Sequence, residues 1–383
     1  MKYLPFLFAV IFLAGGVTTS CRNYMPTQVH CDTCCDTCKA DTTHHPCDTC
    51  TKPCDTCAKP CDTCNINRDS LSHAFEWSQF SIPGETNLTG CWVFGPNDIL
   101  IVGNNLWHYD GVSFSLVPAF DLTHNSVKLN GALSGYSIFA FSKTDFWLVH
   151  GSDVLHTNDG KYFDDYRPGA VNACWGSSPN DVFIVGNVGH IAHWDGVAFT
   201  QMSSGTTTDL NSVCGTDHNH VWASGRHQAN NTTVLVHYDG NQWNIDDLSN
   251  DNQVKQNLLF SVWSTDSTIS HEFTTVSSAF VYRKTDNQAW RIDQSVPNQI
   301  PRDTAHRVSL QAIQGNNPND LWVAGDWGYL SHWSGKTWAK YPALFDYTNL
   351  LYGGGQLSVR GNTVCIVGFK NNNSWVAIGT RKE

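Results

Sequence analysis

Positive charge, methionine and long apolar runs are all scarce in this chain. Its 383 residues hold 23 Lys plus Arg against 34 Asp plus Glu, a formal net charge of -11. A nucleic-acid binder needs a basic surface to displace counterions from phosphates, so no nucleic-acid partner is expected. Charged residues are only 15 %, yet there are 15 Trp, 19 Phe and 12 Tyr. A disordered chain would show the opposite balance. No convincing stretch of helical periodicity is present either. Only one apolar run approaches membrane-spanning length, and it lies at the extreme N-terminus.

That run is Tyr3 to Val17, uncharged and preceded by Met1-Lys2. It has the length of a signal-peptide core and is too short for a spanning helix. Thr18-Thr19-Ser20-Cys21 follows, with small residues before a cysteine. This resembles a bacterial lipoprotein processing site, with Cys21 as the acylated first residue, although Thr18 stands where Leu is usual. Ordinary cleavage after Ser20 or Gly16 is the alternative. Either way the expected location is extracytoplasmic. It is the bacterial envelope, as an outer-membrane lipoprotein held by its lipid anchor alone, or the medium, as a secreted protein. Disulfides are permitted there.

The chain divides into three parts: a signal peptide (1–20), a cysteine-rich stalk (21–70) and a folded domain (71–383). Ten of the 15 cysteines sit in five copies of Cys-Asp-Thr-Cys. The pairs are Cys31 and Cys34, Cys35 and Cys38, Cys47 and Cys50, Cys54 and Cys57, Cys61 and Cys64. Apolar residues are too few there to build a core, and Pro53 and Pro60 favour an extended backbone. Disulfides would stiffen such a stalk. Two pairs could instead supply four thiolates to zinc or copper(I), with His44-His45 adding nitrogen ligands. Cross-links between chains are a third use. The haem-attachment and thioredoxin-like patterns are absent.

From residue 71 onward the chain repeats itself. The clearest copy contains Cys174-Trp175, Pro179-Asn180-Asp181-Val182-Phe183-Ile184-Val185-Gly186, His193-Trp194-Asp195-Gly196 and Phe199. Close counterparts are Pro96-Asn97-Asp98 with His108-Tyr109-Asp110-Gly111, and Pro318-Asn319-Asp320 with His332-Trp333-Ser334-Gly335. Each copy translates into a short apolar strand, a second strand opened by Asn-Asp, a third alternating strand, an Asp-Gly turn and a fourth strand. Four antiparallel strands repeating at about 45 residues are the signature of a β-propeller. The expected fold is therefore all-β: seven four-stranded blades, with Phe75 to Ile82 as a closing N-terminal strand. Six or eight blades are the alternatives, because the copy around 258–290 is poorly defined.

Gly176 to Gly186 together with His193-Trp194-Asp195-Gly196 resembles bacterial extracytoplasmic propellers related to Asp-box (BNR-type) repeats and to the Ycf48-like photosystem assembly factor. Asn158-Asp159-Gly160-Lys161-Tyr162-Phe163 comes closest to an Asp-box. The resemblance covers about residues 75–380. It implies the fold, and that fold hosts binding proteins, hydrolases and lyases alike. No sialidase arginine cluster or quinone-enzyme tryptophan motif accompanies it.

His108, His156, His193, His237 and His332 recur at nearly one place per copy. Repeated residues serve the repeat, so a hydrogen bond at the hairpin is expected there rather than a ring of metal ligands. Asp98, Asp145, Asp181 and Asp320 are taken as turn residues. Cys91, Cys174 and Cys214 are expected as buried free thiols. Ligand contacts are expected where the repeat is broken, on the loops between second and third strands: Asn104, Asn187, Arg226, Asp326 and Trp327. Amides, charges and an exposed ring suit a glycan or a protein segment. The leading expectation is a binding or scaffolding propeller without catalysis and requiring no cofactor. A carbohydrate-active enzyme is the second, and metal capture by the stalk the third.

Overall fold

The computed structural model describes residues 71–86, 88–117, 135–227, 232–246, 259–265, 272–277, 281–285, 291–292, 310–325, 329–341, 344, 352–370 and 373–382. The expected leader, Cys21, the ten stalk cysteines, Asp326 and Trp327 lie outside them. Among the described residues, regular structure is all strand apart from short 3-10 turns, one of them at Asn187–Gly189. The strands form seven four-stranded antiparallel sheets. Sheets 1 to 6 span 88–116, 137–166, 173–202, 210–245, 259–292 and 310–340, each running outward in chain order. Sheet 7 combines 352–381 with Phe75–Phe80.

Inner strands of successive sheets lie side by side, and that of sheet 7, Tyr352–Arg360, returns to that of sheet 1, Leu88–Gly95. The fold is thus an all-β propeller with four-stranded blades. Phe75–Phe80 pairs antiparallel with Asn373–Arg381, placing Phe75 opposite Arg381 and Phe80 opposite Val376. One sheet therefore joins the first and the last of the described strands, and Phe75–Phe80 supplies its outer strand.

Burial follows radial position. All five residues of Asp181–Val185, a second strand, are buried, because adjacent sheets cover both of its faces. A short continuous apolar run is the sequence form of such a strand. The outer strand Phe199–Met202 keeps its two central residues exposed. Trp147, Trp175, Trp322 and Phe139 are among the largest fully buried side chains. They bridge sheets: Trp92 meets Phe139 edge-on at 5.0 Å, and Phe75 meets Trp322 at 4.9 Å. Trp175 lies so close to the neighbouring sheet that a Cβ at Gly215 would stand 2.5 Å from its ring. Each such aromatic buries roughly 150–250 Å².

The repeated turn residues interlock. Asp195 Oδ1 accepts hydrogen bonds from the backbone N–H groups of Val197 and Ala198, both at 2.8 Å. Asp110, Asp159 and Asp239 do the same in their own sheets. These backbone donors hold all four carboxyls below their ordinary range. Gly196 follows at a φ of 92°, and a Cβ there would meet the Asn180 side chain at 2.8 Å. The Asn of Asn-Asp therefore packs beneath the Gly of Asp-Gly, which explains why the two dipeptides recur together.

Cys91 and Cys174 are buried free thiols, and Cys365 is buried as well. Burial pushes the Cys174 thiol up to about 12. Cys214 departs from expectation: it is disulfide-bonded, with its partner outside the described residues. Position on an inner strand fixed its burial but not its oxidation state.

Candidate functional site

Antiparallel order gives the ring two distinct faces. Turns joining strands one to two and three to four emerge on one face. Loops joining strands two to three, and the connections between sheets, emerge on the other.

On the loop face the expected ligand residues separate into two places. Asn104 is exposed on sheet 1. Its backbone N–H donates to Glu85 Oε2 at 3.2 Å, and Glu85 Oε1 also accepts from Trp107 Nε1 at 3.0 Å and from the Asn105 amide. Glu85 is only 3 % exposed, so a buried carboxylate pins this loop. Asn187 and Arg226, by contrast, belong to one seam, between sheets 3 and 4. Asn172 Nδ2 donates to Asn187 Oδ1 and to the Leu210 carbonyl, each at 2.8 Å. Asp209 Oδ1 accepts from Val188 N–H at 2.8 Å, while its carbonyl accepts from Arg226 N–H at 2.9 Å. Sequence reading missed Glu85, Asn172 and Asp209, because none of them lies in the loops where the repeat is broken.

Beside that seam opens a trough of about 800 Å³, lined among others by Asn187, Val188, His190, Met202, Ser204 and Thr206. Among the described residues no carboxylate lines it, and His190 is the single titratable side chain that does. Val188 stands at its edge, 69 % exposed. Its φ of 58° makes it the one non-glycine left-handed residue among those described. A β-branched residue in that region carries strain that the surrounding hydrogen bonds must sustain.

On the turn face the repeated histidines and aspartates meet. His108 Nε2 bonds Asp98 Oδ1 at 2.7 Å, His156 bonds Asp145 at 3.0 Å, His193 bonds Asp181 at 2.6 Å and His332 bonds Asp320 at 2.8 Å. The aspartates are thus more than turn residues: each fixes the imidazole on the next strand. The residue paired with that imidazole is often aromatic, and Trp147 stacks on His156 at 4.0 Å and Trp322 on His332 at 4.4 Å.

Two of these pairs gain a partner from the following sheet. Arg381 Nη2 donates to Asp320 Oδ1 at 2.7 Å. His218 Nδ1 bonds Asp181 Oδ1, also at 2.7 Å. Burial works against charge on Asp181, but bonds from His193, Ser177 and His218 outweigh it and hold the carboxyl below its ordinary range. Burial likewise opposes charge on Asp320, and His332, Arg381 and Asn316 overcome it. Asp181, His193 and His218 are the one group among the described residues whose potential ligand atoms all lie within 4.8 Å of one another. His218 was not singled out from sequence, although a signal existed: it stands where other copies carry Pro96, Pro179 and Pro318.

No protein-family model and no curated protein sequence matches the chain. Among solved structures, Ycf48 bound to a D1 peptide is similar at a TM-score of 0.59 and 13 % identity, covering 82 % of this chain and 97 % of that one. Ycf48 from Cyanidioschyzon merolae is similar at 0.53 and 15 % identity, covering 80 % and 98 %. A GH74 xyloglucanase from Xanthomonas campestris is similar at 0.52 and 11 % identity, covering 78 % of this chain and 53 % of that one. At these identities the likeness is one of fold.

Proposed function

We propose that the chain is a non-catalytic binding propeller that takes an extended protein segment on its loop face, at the seam of sheets 3 and 4. The trough carries this reading. It is open, about 800 Å³, walled by amide, hydroxyl and backbone groups, and edged by exposed Val188. An extended peptide offers alternating amides and side chains, which such a wall can match by hydrogen bonds and by one apolar contact. A glycosidase needs two carboxyl groups flanking the bond it cleaves, and among the described residues none lines this trough. The similar Ycf48 structure holds a D1 peptide, so one propeller of related shape accepts a protein segment. A lipid-anchored Cys-Asp-Thr-Cys stalk would present this face outside the cytosol.

Peptide and glycan arrays probed with the full chain test the reading. Retention of peptides is expected, weakened at least tenfold by Val188→Asp with the circular dichroism spectrum unchanged. Retention of glycans alone would replace the ligand class. Turnover of an arrayed glycan would make the protein an enzyme and end the proposal.

A further inference from the structure

The turn face carries a second site, at the same seam but on the opposite side of the ring. We propose that Asp181, His193 and His218 bind a first-row divalent cation, with zinc the best match. The donor set is one carboxylate oxygen (Oδ1) and two imidazole nitrogens (Nε2 of His193 and Nδ1 of His218), all mutually within 4.8 Å. Three such ligands with an open fourth position are the usual arrangement of a solvent-accessible zinc site.

Each ligand is set by a different part of the fold. Asp181 opens a second strand, and the Ser177 hydroxyl donates to its other oxygen, Oδ2, which orients Oδ1 toward the imidazoles. Such outer hydrogen bonds orient first ligands in known metal sites. His193 comes from the adjacent strand, where it is paired with Phe183 and held against that ring at 4.5 Å. His218 comes from the first turn of the next sheet, where it contacts Tyr238 edge-on at 5.8 Å and Phe183 at 5.9 Å. Aromatic walls thus enclose the cluster on the ring side. The His218 side chain is 46 % exposed, so the remaining coordination position opens to water.

The sister pairs show why this one is different. Asp320 and His332 receive Arg381 as third partner, and a fixed guanidinium excludes a metal ion. The pairs at Asp98 and Asp145 join no third ligand-bearing side chain among the described residues. Among the described pairs, only where the repeat's Pro has become His218 does a second imidazole bond the carboxylate itself; at Asp320 the second imidazole, His73, bonds His332 instead. Zinc bonds of roughly 2.0–2.2 Å place ligand atoms further apart than the present hydrogen bonds, so the three atoms must spread by a few tenths of an ångström to about one. The exposed turn bearing His218 permits that movement. Charge bookkeeping is simple. Each neutral imidazole moves its proton from the ligating nitrogen to the other one, and the already ionised carboxylate releases none.

The experiment is equilibrium dialysis of the full chain against zinc, read by elemental analysis, for the wild type, His218→Ala and His193→Gln. Glutamine retains an N–H able to reach Asp181, so that variant preserves the fold. The cysteine stalk can contribute zinc of its own, but equally in all three proteins. The expected result is one zinc fewer per chain in both variants. Cobalt(II) should add a visible band in the wild type that both variants lack and that shows no thiolate charge transfer. Val188→Asp should bind zinc as the wild type does, which separates this site from the peptide trough. Equal zinc content in the wild type and His218→Ala would overturn the proposal.

Discussion

Two seams of the ring share one device and use it differently. Between sheets 6 and 7, Asp320 and His332 are sealed: their side chains are 5 % and 0 % exposed. Arg381 enters from the last strand and His73 from the segment just before Phe75–Phe80, with His73 Nδ1 at 2.8 Å from His332 Nδ1 and His73 Nε2 at 2.9 Å from the Thr337 hydroxyl. With both rings neutral, His332 donates through Nε2 to Asp320 and accepts through Nδ1 from His73. His73 in turn accepts from Thr337. Arg381 also lies over the Phe75 ring, 4.9 Å from its centroid. Between sheets 3 and 4 the same Asp-His pair meets a half-exposed His218. A partner from the next sheet becomes a structural lock when it is a buried permanent cation, and a candidate ligand when it is a solvent-facing imidazole.

The largest expected effect that separates the two seams is at Trp322. Trp322→Ala removes a fully buried ring stacked on His332 and on Tyr341, the latter at 5.2 Å. A loss of about 3–5 kcal/mol is expected in denaturant unfolding. Next comes Arg381→Met, which leaves the buried Asp320 with His332 and Asn316 but without its cation. About 3 kcal/mol should be lost, and adding Asp320→Asn should restore part of it. If Arg381→Met proves neutral, the lock is not electrostatic.

His73→Ala is expected to cost about 1 kcal/mol, for the two hydrogen bonds it removes. It should also flatten the dependence of stability on pH. Burial, then His332 and Arg381, hold the His73 imidazole below its ordinary range, and burial together with Arg381 does the same to His332 against the pull of Asp320. The folded chain therefore binds these protons less readily than the unfolded chain. Stability from this contact is complete above about pH 6.5 and is lost as pH falls through the lowered folded values. Unfolding midpoints between pH 7.5 and 5 should fall less steeply in His73→Ala than in the wild type. The smallest effect is expected from His218→Ala in metal-free buffer, at most about 1 kcal/mol, because exposed partners contribute little. A cost as large as that of Arg381→Met would make the two seams equivalent and erase the distinction.

Much of the fold was legible in particular residues. Asn-Asp, Asp-Gly and the apolar run between them recur at fixed offsets, and each is tied to a local requirement. The Asp carboxylate caps two backbone N–H groups, Gly196 needs a positive φ, and Val182 to Val185 must be apolar on both sides. The pairing of Phe75–Phe80 with the last strand could be inferred because sheet 7 lacked an outer strand of its own. The candidate sites were less legible. Asn187 and Arg226 do share a seam, but Asn104 lies elsewhere, because loop position along the chain does not say which sheets adjoin. Glu85 and Asp209 act through partners 19 to 22 and 17 to 21 positions away, outside any local pattern.

Local periodicity by itself determined that this chain makes short antiparallel strands in repeated units, since strand alternation, turn chemistry and apolar runs are properties of neighbours in sequence. Which unit touches which, and therefore that His218 reaches Asp181 while Arg381 reaches Asp320, was decided by closure of the ring. Side chains from separate units come within bonding distance only when radial packing excludes water between the sheets, and no spacing along the chain encodes that contact.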